Sequence, residues 1–78
     1  MEASEVQALV ASAFPDGEVA VELIGGHYTV TVISESFAGM RSVARQQKVY
    51  APLSAVIAAG TIHAVNIRAM TPAEADAG

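Results

Sequence analysis

The sequence contains no cysteine, no tryptophan and only four cationic side chains against eight carboxylates. Without cysteine there is no disulfide, no thiolate ligand and no thiol nucleophile, so any metal chemistry must use imidazole, carboxylate or a partner's sulfur. The shortage of basic residues, with a net charge of -4, argues against a generally basic nucleic-acid binder, although a local positive stripe can act inside an acidic chain. Long apolar runs are missing too: Glu, Arg, Gln or Gly interrupts every stretch well before the roughly 18 to 20 residues that cross a bilayer. The opening MEASEVQALV has neither the cationic leader and apolar run of a signal peptide nor the Arg-rich pattern of a transit segment, so a soluble cytoplasmic protein is expected. Gly-rich phosphate loops of Walker or dinucleotide type are absent, no Ser/His/Asp order suggests a triad, and the carboxylates are scattered. An enzyme is therefore not expected.

What is present suits a small folded domain. Seventy-eight residues, 53% hydrophobic and 15% charged, predict one domain over 1–78 with a single core and modest stability. Ser4 with Gln7 has capping-box spacing, and Val6, Leu9, Val10, Ala13 and Phe14 recur on one helical face until Pro15-Asp16-Gly17 ends the helix. EVAVELIGGHYTVTVIS then reads as a hairpin about Gly25-Gly26. That loop sets Leu23 opposite Tyr28, Val21 opposite Val30 and Val19 opposite Val32, gathering six apolar side chains on one face. His27, Glu22, Thr29 and Thr31 fall on the other.

After a short turn at FAGM, a helix is predicted from about Arg41 to Ala58, with Val43, Tyr50, Leu53, Val56 and Ile57 as its core stripe and a kink or break at Pro52. Phe37, Met40 and Tyr50 are read as core. Gly60 ends the helix and IHAVNIRAM forms a third strand. Thr71-Pro72-Ala73-Glu74 is a helix start with only four residues after it, so its helix is expected to fray. A long helical crossover returns the third strand parallel to the second. The predicted fold is α+β in two layers, in the order α-β-β-α-α-β, with a three-stranded mixed sheet and helices on one face.

Parallel pairing brings the starts of strands two and three to the same end of the sheet, and with them the two histidines, His27 and His63. Two imidazoles there make half of a site for a borderline or soft metal, the remaining ligands coming from a partner or cofactor. Strand alternation sets His63 on the side of Val65 and Ile67 and His27 on the other, so convergence needs the turn before His63 to re-aim it. A second constellation is electrostatic. Arg41, Arg45 and Lys48 follow i, i+4, i+7 spacing on one helix face, a stripe suited to phosphate, an acidic partner or a glutathione carboxylate, with Arg68 a possible extension.

GGHYTVTVISESFAGM at 25–40, RQQKVYAPL at 45–53 and IHAVNIRAMTPAE at 62–74 together resemble the BolA family, especially its short bacterial branch of the IbaG type. The last segment is the most specific, since it joins the histidine, the alternating strand and the Thr-Pro-x-Glu turn. The resemblance implies a class II KH-like fold. It also implies partnership with a monothiol CGFS-type glutaredoxin and a [2Fe-2S] cluster shared with it and glutathione, with His63 a cluster ligand and His27 where short members offer a second. Imidazole does replace thiolate on one iron of Rieske clusters. A DNA-binding regulator acting through the basic helix face in stress response is the alternative that the resemblance raises. The chain departs from the family in lacking a tryptophan after the Thr-Pro turn, and FAGM supplies one glycine of the GxxG loop that KH domains use for RNA, so RNA binding by that route is not expected.

Overall fold

The first helix begins earlier than a cap at Ser4 predicts. In the computed structural model, which describes residues 1–77, α1 spans Ala3–Ala11. The Glu5 carboxylate accepts the Glu2 amide at 2.9 Å, so Glu2 and Glu5 mark the start and Ser4 and Gln7 lie within the helix. A carboxylate there satisfies an otherwise unpaired amide and meets the positive end of the helix dipole. Val6 and Val10 are fully buried, and a tight turn beyond the helix returns Phe14 to the core.

β1 (Glu18–Ile24) and β2 (His27–Ile33) pair antiparallel in the predicted register, Val19 with Val32, Val21 with Val30 and Leu23 with Tyr28. Gly25 and Gly26 turn the chain with φ of 58° and 79°, a conformation that matches the strand twist and that side chains resist. The apolar cluster closes at the hairpin base, where Val30 and Val32 are fully buried. At the outer end Tyr28 stays buried while its partner Leu23 is 43% exposed, and Ile24, paired with His27 on the other face of the sheet, is 71% exposed.

The predicted helix over 41–58 divides into α2 (Ser42–Tyr50), a 3-10 turn over Ala51–Leu53 and α3 (Ser54–Ala58). Pro52 lacks an amide and crowds the preceding turn, which accounts for the break. The core stripe differs from the prediction. Val49 and Leu53 are fully buried, Val56 and Ile57 pack against them from the edge, and Val43 and Tyr50 are exposed. Leu53 is anchored after the proline turn, so residues one and two turns before it, Val49 and Arg45, face inward, and Val43 and Tyr50 fall outside. Of the aromatic-rich set read as core, Phe37 is fully buried and Met40 partly so, whereas Tyr50 is not.

β3 (Ala64–Met70) pairs parallel with β2, giving a mixed sheet in the order β1-β2-β3. α1 packs on β1 and α2 on β3, so the helices bury the sheet face carrying Tyr28, Val30 and Val32. The chain ends in α4 (Pro72–Ala77). Its start is the predicted box: the Thr71 amide donates to Glu74 Oε1 at 2.8 Å and the Glu74 amide donates to Thr71 Oγ1 at 3.2 Å. Among the described residues, no helix is long and apolar enough to cross a membrane.

Candidate functional site

His27 opens β2 and sits opposite Ala64, the first residue of β3. His63 is the residue just before it. Parallel pairing therefore brings both histidines to the same end of the sheet, as the sequence predicts, with His63 one position before the partner of His27. The alternation argument does not reach His63, because β3 begins one residue later. His63 belongs to the turn from Gly60, whose φ is 76°, and its Cε1 lies 3.8 Å from where a β-carbon on Gly60 would stand. That turn directs the ring away from the core, and both histidines are exposed.

The neighbours of His63 show how the turn is held. Ile62 is 1% exposed and anchors the segment in the core, so a buried residue precedes the exposed histidine and a strand follows it. Neither imidazole hydrogen-bonds to another group of the described chain. Their nitrogens are available to an external acceptor of electron pairs. Among the described residues no three His, Cys, Asp or Glu side chains gather, and the donors at the strand starts are the two imidazoles.

The basic stripe is reorganised by the helix phase. Arg45 faces inward, its side chain 15% exposed. Its Nε donates to the Met40 carbonyl at 2.9 Å and its Nη1 to the Ala69 carbonyl at 3.3 Å. Its two terminal nitrogens also bridge both carboxylate oxygens of Glu74, at 2.6 and 3.1 Å. Arg45 thus ties α2, β3 and α4 together and is not a free surface cation. The guanidinium also stands 5.9 Å above the Phe37 ring, and Lys48 Nζ stands 5.8 Å from the Phe14 ring. Arg41 and Arg68 are exposed without an ion-pair partner among the described residues.

Sequence reasoning identified Glu74 as a capping residue and Arg45 as a surface one, and missed that they meet. Twenty-nine residues separate them, and only the packing of α2 on β3 brings them together. The clasp also explains why α4 holds as a helix despite its shortness. Hydrogen bonds from Arg45 first, and from the Thr71 amide second, lower the Glu74 carboxyl to about 2, and Arg45 is raised in turn. A carboxylate held below its ordinary value of 4.5 contributes stability above that value and loses it as pH falls toward the folded one. The α4 amide resonances are therefore expected to keep their positions from pH 7 to about pH 5 and to collapse toward random-coil values between pH 4 and 2. Glu74→Gln should show the collapsed tail at neutral pH, with the core resonances unchanged.

A family model for the BolA-like proteins matches residues 2–74. The acid stress protein IbaG of Escherichia coli K12 is 46% identical over 74 residues, covering 95% of this chain and 88% of that protein. An uncharacterized protein from the rpoN-murA intergenic region of Acinetobacter guillouiae is likewise 46% identical over 74 residues, covering 95% of this chain and 89% of its own length. Among solved structures, BolA1 from Arabidopsis thaliana superposes with a TM-score of 0.81 at 28% identity, covering 95% of this chain and 98% of that one. The matched span runs from the Glu2 helix start to the Glu74 clasp and takes in both histidines, and on that ground the chain belongs to the BolA-like family.

Proposed function

We propose that this chain is a non-enzymatic adaptor that joins a monothiol glutaredoxin to hold, transfer or sense a [2Fe-2S] cluster in the cytoplasm. The observation that carries the reading is the pairing of His27 with Ala64 beside an exposed, unengaged His63. Two neutral imidazoles bind a borderline metal through a ring nitrogen, and with no cysteine in the chain the thiolates must come from the partner and from glutathione. The cluster supplies electron transfer or iron and sulfide cargo; this chain's own residues bind and orient. Ile62 anchors the turn that presents His63, and β2 pairing brings His27 to the same end of the sheet.

The alternative, a DNA-binding regulator, relies on Arg41, Arg45 and Lys48, and the clasp removes Arg45 from that surface. The adaptor is the better supported reading. A role in the stress response is in keeping with the name of the Escherichia coli relative.

The test is visible absorption and circular dichroism of the chain mixed anaerobically with a monothiol glutaredoxin, iron, sulfide and glutathione. The adaptor reading expects a spectrum distinct from that of the glutaredoxin homodimer. An unchanged glutaredoxin spectrum, under conditions where the two proteins associate, overturns it.

A further inference from the structure

β3 is an edge strand: among the described residues it pairs with β2 on one side and with no strand on the other. Two contacts show which of its residues face outward. The Met70 carbonyl accepts the Ser34 amide at 2.9 Å, on the β2 side. The Ala69 carbonyl accepts from Arg45, on the opposite side. The lateral direction of a residue's amide and carbonyl alternates along a parallel strand, so Val65 and Ile67, which share the parity of Ala69, present theirs away from the sheet. Only the last outward rung, at Ala69, is capped by a side chain among the described residues.

Beside this edge runs a groove of about 420 Å³ between β3 and the start of α2, lined by Met40, Ser42, Arg45 and Gln46 on one wall and by Ile67 to Met70 on the other. Charge is segregated around it. All four cations of the chain stand on α2, at its start or on β3, while five of the eight carboxylates, Glu2, Glu5, Asp16, Glu18 and Glu22, belong to α1, β1 and the residues beside them. The other sheet edge, β1, carries Glu18 and Glu22 and repels an acidic segment. With Arg45 held by Glu74, the free cations nearest this edge are Arg68, on β3, and Arg41, next in sequence to the lining residues Met40 and Ser42.

We propose that the outer edge of β3 takes an extended acidic segment of a partner protein as a fourth strand. Val65 and Ile67 supply the backbone pairing that such an edge offers. Alternation in the added strand sends every second side chain to the open sheet face, where a carboxylate meets Arg68 across the strands, and the others into the groove against Met40 and Ile67. Arg41 meets a further carboxylate at the groove rim, and the capped Ala69 carbonyl marks where the added strand must end. The chemistry recognised is thus a strand of alternating acidic and β-branched or aromatic residues. Two free cations suit a few carboxylates, whereas tight nucleic-acid binding commonly draws on roughly six to ten phosphate contacts.

The proposal is independent of cluster binding and is tested without iron. The probe is a pool of short peptides with Asp or Glu alternating with Val, Ile, Thr or Tyr, added at millimolar concentration to the isotopically labelled chain, with amide hydrogen exchange read by NMR. Exchange at Val65 and Ile67 is expected to slow by about tenfold or more, since pairing blocks opening to solvent. A pool with Lys in place of the acids should leave it unchanged, and so should the acidic pool with the double variant Arg41→Glu, Arg68→Glu, whose unperturbed core resonances confirm its fold. No slowing at Val65 and Ile67, slowing at β1 instead, or equal slowing by the Lys pool overturns the proposal. So does stronger protection of the same amides by a single-stranded oligodeoxynucleotide, or concentration-dependent protection in the chain alone, which assigns the edge to a second copy.

Discussion

His63→Ala is expected to abolish the distinct visible circular dichroism of the chain mixed with glutaredoxin, leaving the glutaredoxin homodimer spectrum, while the fold stays intact. The side chain is exposed and makes no hydrogen bond within the described chain, so its loss should change stability by no more than about 0.5 kcal/mol. That combination separates a ligand from a structural residue. His27→Ala should weaken the signal less, since it stands beside the Gly25-Gly26 turn at the hairpin tip, whereas His63 follows a buried anchor. If His63→Ala leaves the mixed spectrum unaltered and His27→Ala removes it, the ligand is His27 and not His63; a signal lost only in the double variant would mean that either histidine can serve.

Phe37→Ala is expected to be the most damaging single substitution for stability. Phe37 is 0% exposed, and its ring lies 5.3 Å from that of Phe14 and beneath the Arg45 guanidinium. Truncating a buried phenylalanine costs about 3–5 kcal/mol, a large share of the roughly 5–15 kcal/mol that holds a typical domain together. In a chain of 78 residues the loss should leave a substantial unfolded fraction at 37 °C. Urea denaturation followed by far-ultraviolet circular dichroism measures it as a fall in midpoint with little change in slope. A midpoint within experimental error of the parent's would mean that Phe14 and Val49 collapse into the vacated space.

Local patterns in the sequence carried most of the fold. The Gly25-Gly26 loop dictated the hairpin register, because a two-residue turn leaves one pairing open. Pro52 announced the helix break, and Thr71 with Glu74 announced α4. The position of the histidines followed from topology alone, since parallel return of the last strand puts both strand starts at one end. Helix phase was less legible. Between Arg41 and Leu53 two apolar stripes compete, one through Val43 and Tyr50 and one through Val49, and the choice depends on how the proline turn seats Leu53. The Arg45–Glu74 clasp depended on that choice in turn, so the basic stripe read from i, i+4, i+7 spacing lost its middle member. At the N-terminus the start read at Ser4 gave way to Glu2, whose amide the Glu5 carboxylate accepts, because a pattern keyed to a hydroxyl cap passes over an acidic pair.

The parallel pairing of β2 with β3 also has a consequence for the order of folding. The hairpin joins residues adjacent in sequence and forms on the microsecond scale, whereas His27 meets Ala64 across 64 − 27 = 37 residues, a loop whose closure entropy delays it. The two imidazoles become neighbours only when that long-range step is complete. A partner that requires both therefore engages only molecules in which β3 has docked on β2.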